Sequence, residues 1–148
     1  MGEAANADHR SLADMRLAGE ALILLTLAGL ALRAMTFAQV ASLAGRRRTA
    51  ARPESNDNLA RRIGWAVRAV ANRCPWGPLC LERGLAAHLM LRLRGHDSTL
   101  YYGARNDGSL GPSAHVWVRV GAWDVVGCEE AERFATLATF PPGPARAD

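Results

Sequence analysis

The sequence predicts an α+β fold: helices come first and pack on a small antiparallel β-sheet that follows. Three observations carry that reading. Apolar residues recur at helical spacing from Met15 to Leu93, and from Thr99 to Gly127 they alternate as they do in strands. Between the two halves lies Arg73-Cys-Pro-Trp-Gly-Pro-Leu-Cys80, a turn that runs straight into an apolar helix.

From Met15 to Leu43 Ala, Leu, Ile and Val dominate, and Ala21 to Leu32 carries no charge. Ser11 and Asp14 are weak capping residues for a helix here. The spacing predicts one long helix, bent near Gly29. It either packs on the core or, through residues 21–44, touches a membrane; the triple Arg46-Arg47-Arg48 suits both. Arg33 interrupts a run that would need about 20 apolar residues to span a bilayer. A polar loop, Thr49 to Asn58, leads to a helix from Leu59 to Asn72, capped by Asp57 or Asn58. Leu59, Ile63, Val67 and Val70 share one face, and Arg61, Arg62, Arg68 and Arg73 stay wet. Pro75, Gly77 and Pro78 then force the turn. Leu81, Leu85, Leu89, Met90 and Leu93 give the next helix one buried face, with Gly95 as its C-terminal cap. Thr99 to Ala104 and Ala114 to Val120 read as strands. Gly121-Ala122 fits a two-residue hairpin turn, and Trp123 to Gly127 returns. A short helix is expected from Glu129 to Leu137. Residues 1–58 thus form an apolar helical region and linker packed on a core formed by 59–148.

At 148 residues, 49% of them apolar, the chain has one domain's worth of core. All 18 basic residues are Arg. The net charge of +4 is diffuse and no nucleic-acid-reading motif accompanies it, so nucleic acid is not an expected partner. Three cysteines without regular spacing argue for a reducing compartment, hence the cytoplasm, rather than for a disulfide scaffold. Cys74, Cys80, His88 and Cys128 lack short-spaced zinc-ligand pairs, and no metal is expected.

Cys80 falls at the start of its helix, where unpaired N–H groups and the positive end of the helix dipole favour a thiolate. His115 follows 35 positions later on the central strand. An imidazole beside that thiol would take its proton and later return it to a leaving amine. The Cys80 backbone N–H is the natural oxyanion donor. Trp76 and Trp117 flank the two residues in sequence, as packing or as substrate platforms. His88 lies two turns down the Cys80 helix, structural or solvent-facing.

The order of Cys on a helix start and His on a following strand matches the papain-like and transglutaminase-like thiol fold. In detail the chain resembles the transglutaminase-like leader peptidases of lasso-peptide biosynthesis. The matching residues are Cys80-Leu-Glu-Arg-Gly-Leu-Ala86, Leu91-Arg-Leu-Arg-Gly95, Tyr102-Gly-Ala-Arg105 and Ala114-His-Val-Trp-Val118, the last similar to the family's Ala-His-Ala-Trp-Val. The resemblance covers roughly Leu59 to Phe140 and implies hydrolysis between leader and core of a ribosomal precursor peptide. It implies no cofactor in this chain, because the ATP is used by a partner, an asparagine-synthetase-like cyclase that closes the lasso ring. Fused relatives carry a winged-helix element that binds the leader through a strand edge. Residues 1–58 show no β-alternation, so a separate leader-recognition protein is expected. The expected location is cytoplasmic, peripheral to the inner face of the membrane if the apolar helix reaches it.

The family commonly places an Asp twelve residues after the His, and here that position is Gly127. Counting back from the hairpin turn pairs Arg119 with Asp124, Trp117 with Val126 and His115 with Cys128. Asp124 is then Arg119's ion-pair partner and only a weak third catalytic member. Glu129 stands beside it as a candidate, and a backbone carbonyl would also hold the imidazole. Two other functions use the same sequence. A transglutaminase-like acyltransferase would resolve the thioester with an amine, and a non-catalytic membrane-associated scaffold for the cyclase would explain the apolar helix.

Overall fold

The computed structural model describes residues 12–44, 46 and 57–142. The Ser11 cap, Arg47 and Arg48 of the basic run, most of the polar loop after Thr49 and the tail beyond Pro142 lie outside the described residues. Four helices, α1 (Leu12–Ala34), α2 (Phe37–Ala44), α3 (Asp57–Ala71) and α4 (Cys80–Leu93), precede the strands. These are β1 (Ser98–Asn106), β2 (Pro112–Val120), β3 (Trp123–Val126) and β4 (Ala135–Phe140). The sheet runs β3-β2-β1-β4, every pair antiparallel.

The expected long first helix is two helices. The break falls at Met35–Thr36, not at Gly29, because Thr36-Phe-Ala-Gln39 is a capping box. The Gln39 N–H donates to Thr36 Oγ1 (3.3 Å), and the Thr36 N–H donates back to Gln39 Oε1 (2.9 Å). Gly29 serves contact instead: a Cβ there would stand 2.9 Å from Glu82 Oε1 on α4. By length and composition α1 could cross a membrane. One face of it, Leu17, Ala21, Leu25 and Ala28, is nevertheless buried in the core.

α4 is the central element, touching α1, α2, α3 and the first three strands. The single buried stripe expected of it is therefore incomplete. Gly84 to His88 and Met90 to Arg92 are all buried, whereas Leu93, expected in the core, is 53% exposed. Fully burying Met90 and Leu91 contributes about 1.5–3 kcal/mol each. The C-terminal cap is as expected, with Gly95 left-handed at φ 78° and the His96 N–H donating to Leu91 O (3.0 Å). Arg94 grips Glu20 of α1 with two hydrogen bonds, 2.7 and 2.6 Å, and that bonding raises its pKa further. Two arginines of α3 expected in solvent also act as ties: Arg62 reaches Asp14 (2.8 Å) and Arg68 reaches Val125 O (2.8 Å).

Leu100, Val116, Val118 and Val120 line the sheet's helix-facing side. Phe37 of α2 packs against Tyr102 and Phe140 at its other end, with ring centroids 5.1 and 5.8 Å away. The expected helix from Glu129 to Leu137 is a 3₁₀ turn, Cys128–Arg133, followed by β4. Thr136 and Thr139 are β-branched and Phe140 aromatic, and pairing with β1 outweighs the helix-forming Glu-Glu-Ala-Glu run before them.

Candidate active site

The Cys80 helix, α4, reaches the sheet through Gly84, one turn after Cys80. A Cβ on Gly84 would sit 2.5 Å from Val116 Cγ1, so only glycine permits this approach of α4 to β2. Cys80 and His115 line the same cleft, about 390 Å³, together with Arg68, Pro78, Arg83, Gly127, Glu129 and Glu130. Both residues are half-buried.

Cys80 is the first residue of α4, behind Leu79 in extended conformation (φ −72°, ψ 166°). At a position where Ser, Asp or Asn is usual, Leu79 has no side-chain oxygen for the first helical N–H groups. Glu82 makes half of a capping box, accepting from the Leu79 N–H at 2.9 Å. Leu79 makes no side-chain cap hydrogen bond to the first turn of α4, where Cys80 stands. The Arg83 Nε–H donates to Pro78 O (3.0 Å) and fixes the turn against the helix.

His115 is held on three sides. Its ring stacks between Phe134 (centroids 5.0 Å) and Trp117 (6.0 Å). Tyr101 backs Trp117 at 5.5 Å, and the Arg105 guanidinium covers Phe134 at 4.9 Å. The ring edge is fixed by Nε2, 2.7 Å from Gly127 O. A carbonyl only accepts, so Nε2 carries the proton and Nδ1 is the basic nitrogen. Gly127 is left-handed (φ 72°), and a Cβ there would lie 2.5 Å from Val116 O and 3.3 Å from His115 Nε2. Gly127, which stands where the resembled peptidases commonly have Asp, therefore supplies an acceptor from its backbone, where a side chain would not fit.

The hairpin register explains why counting missed this. Val120 pairs with Trp123 and Arg119 with Asp124 as expected, but a bulge at Val125 then pairs Val118 with Val126. The extra residue cancels the expected Trp117–Val126 and His115–Cys128 pairs and brings Gly127 to the imidazole. Cys128 turns to Val118 O (3.3 Å) and Val126 O (3.5 Å), and burial, with Asp124 nearby, pushes its thiol up to about 11. Asp124 bonds the Arg119 Nε–H at 2.8 Å and does not line the Cys80 cleft, whereas Glu129 does. Trp76 lines two other depressions beside α1. Trp117 is 3% exposed and packs against His115 instead of presenting a platform.

His88, expected to be structural or solvent-facing, is fully buried. Its Nδ1 lies 2.8 Å from Ser98 Oγ, and Ser98 Oγ lies 3.4 Å from His88 O. Those partners suit an Nδ1–H donating to Ser98, which in turn donates to the carbonyl. Burial first, and Arg92 second, push its pKa down to about 3.

A family model described as the transglutaminase-like superfamily matches residues 21–139. No curated protein and no solved structure matches the chain.

Proposed function

We propose that this chain, which belongs to the transglutaminase-like superfamily, is a cysteine peptidase that removes the leader from a ribosomally made lasso-peptide precursor. The superfamily is one of cysteine-dependent peptidases and acyltransferases. The observation that carries the reading is the shared cleft: a thiol on an uncapped helix start and a histidine whose Nε2–H is tied to Gly127 O. The lasso-precursor substrate is supported by the ordered motif set around Cys80 and His115.

In this mechanism His115 Nδ1 takes the Cys80 proton as sulfur attacks the scissile carbonyl carbon. The Cys80 N–H receives the developing oxyanion. Collapse breaks the C–N bond while the imidazolium returns the proton to the leaving amine, leaving a thioester. His115 then deprotonates water, whose oxygen replaces sulfur, and the leader leaves as a carboxylate. The Gly127 carbonyl, 2.7 Å from Nε2, keeps the imidazole in the useful tautomer. The reaction needs no cofactor in this chain. ATP is consumed by the partner cyclase that joins the freed amine into a ring, and a separate leader-binding protein delivers the precursor.

The test is incubation of the full chain with a lasso-precursor peptide and a leader-recognition protein, followed by mass spectrometry. Leader and core differing from the precursor by one added water is the expected result, absent with Cys80→Ala. Transfer of the acyl group to an added amine in place of water would make the chain an acyltransferase. Processing that survives Cys80→Ala would leave only a scaffold.

A further inference from the structure

The outward side of α1 carries larger apolar side chains than its buried side. Met15, Leu22, Ile23 and Leu30 are 64, 45, 60 and 55% exposed, while the inward face uses two alanines among its four buried residues. Soluble chains rarely leave such a stripe uncovered. The stripe is also one wall of a groove. A depression of about 450 Å³ lies between Met15 and Leu22 on one side and Trp65 and Trp76 on the other. A second, about 520 Å³, continues past Leu30 to Leu79 and Glu82, and Trp76 belongs to both. The groove therefore ends at the residue immediately before Cys80.

We propose that this groove holds an amphipathic helix of the very polypeptide that Cys80 cleaves; the inference rests on the peptidase reading. Leu79, 63% exposed, is both groove wall and N-cap of the Cys80 helix, so a chain leaving the groove at that end meets the start of the helix whose first residue, Cys80, lines the neighbouring cleft with His115. The occupant is helical because the walls are helices and a turn, with no strand of the sheet among them. An extended peptide there would leave its amides unpaired, whereas a helix bonds its own. The length of α1 along the groove, Asp14 to Arg33, matches a helix of about 20 residues. Half-exposed Leu, Met and Trp side chains offer on the order of 100 Å² each, which brings the face near the ~800 Å² per partner of a stable protein interface. A flat bilayer does not follow a groove, and the rim carries both signs of charge, Asp14 and Arg73 at one end, Arg33 and Glu82 at the other.

The first experiment titrates the full-length Cys80→Ala protein with a synthetic amphipathic Leu/Glu/Lys helical peptide of about 20 residues and follows tryptophan fluorescence. Saturable binding is expected, weakened about ten-fold by Leu22→Glu or Leu30→Glu. Trp76→Phe should reduce the signal, and Leu137→Glu on the far edge of the sheet should change nothing. Equal binding of a scrambled peptide, or indifference to both Glu variants, would overturn the proposal. So would a dimer of this chain that Leu22→Glu dissociates, or binding to phosphatidylglycerol vesicles that the peptide does not displace. The second experiment measures precursor cleavage. Leu22→Glu should raise KM about ten-fold while kcat and iodoacetamide labelling of Cys80 stay unchanged. An unchanged KM with an inactive Cys80→Ala would sink the groove alone. Processing by Cys80→Ala would sink the peptidase reading, while the titration still decides whether the groove takes a helix.

Discussion

Gly127→Ala perturbs the least expected part of the site, the carbonyl that holds His115. Two costs are readable from the structure. Gly127 sits at φ 72°, where a Cβ costs about 1–2 kcal/mol. The added methyl would also fall 2.5 Å from Val116 O, a backbone atom that cannot swing aside, and 3.3 Å from His115 Nε2. Relief requires the bulge to move, at about 1–3 kcal/mol by analogy with overpacked cores. The combined loss of stability is on the order of 2–5 kcal/mol, measurable as a lower urea midpoint. Catalysis suffers separately, because moving Gly127 detaches the acceptor from Nε2–H. With His115 as the general base of the proposed mechanism, its displacement should lower kcat by about 10²–10⁴. The assay is precursor cleavage below the unfolding midpoint, so that folded enzyme is compared with folded enzyme. Gly127→Asp introduces the residue common in the resembled leader peptidases but meets the same obstruction, and it should be no better than Ala. Wild-type stability and kcat in either variant would refute the reasoning.

Phe134→Ala removes one of the two rings that clamp His115, without touching the cleft lining. It should lower kcat about ten-fold with little change in KM and alter the pH profile, a readout that mere loss of packing would not move. Gly84→Ala gains about 1 kcal/mol of helix propensity but drives a methyl into Val116. The net expectation is a loss of about 1–2 kcal/mol, with slower cleavage because α4 is pushed from β2; greater stability would contradict it. His88 predicts a pH effect whose sign follows from its depressed pKa, about 3 when folded against 6.5 when unfolded. The unfolded chain binds the proton first, so the contribution is fully present above about pH 6.5 and drains away as pH falls towards 3, by on the order of 4–5 kcal/mol at most. His88→Met should flatten urea-midpoint curves between about pH 6.5 and 4, and an unchanged slope would exclude His88 as the cause.

Much of this architecture is legible from residues whose physics is local. Pro75, Gly77 and Pro78 set the turn, Gly95 the end of α4, and Gly121-Ala122 the hairpin, as the structure has them. Thr36 and Gln39 were equally readable as a capping box, but an unbroken run of helix formers hides a boundary marked by only two side chains. What the sequence withheld depends on tertiary pairing. α4 meets neighbours on several sides, so its buried residues follow no single stripe. β4 becomes a strand because β1 has an edge to offer. The bulge at Val125 has no signature in Trp-Asp-Val-Val, yet it decides which residue meets His115. Gly127 looked like a missing carboxylate, and its left-handed backbone turns that gap into an acceptor.

The account rests on proton exchange between Cys80 and His115. Its most direct measurement is the rate at which iodoacetamide labels each cysteine of the folded chain at about pH 6.5, resolved by peptide mass spectrometry, in wild type and in His115→Ala. Cys128, its thiol held up near 11, and Cys74 in the α1 groove serve as internal references. The account predicts that Cys80 reacts at least about ten-fold faster than either and that His115→Ala erases the advantage. A Cys80 no faster than Cys74, or one indifferent to the loss of His115, would contradict it.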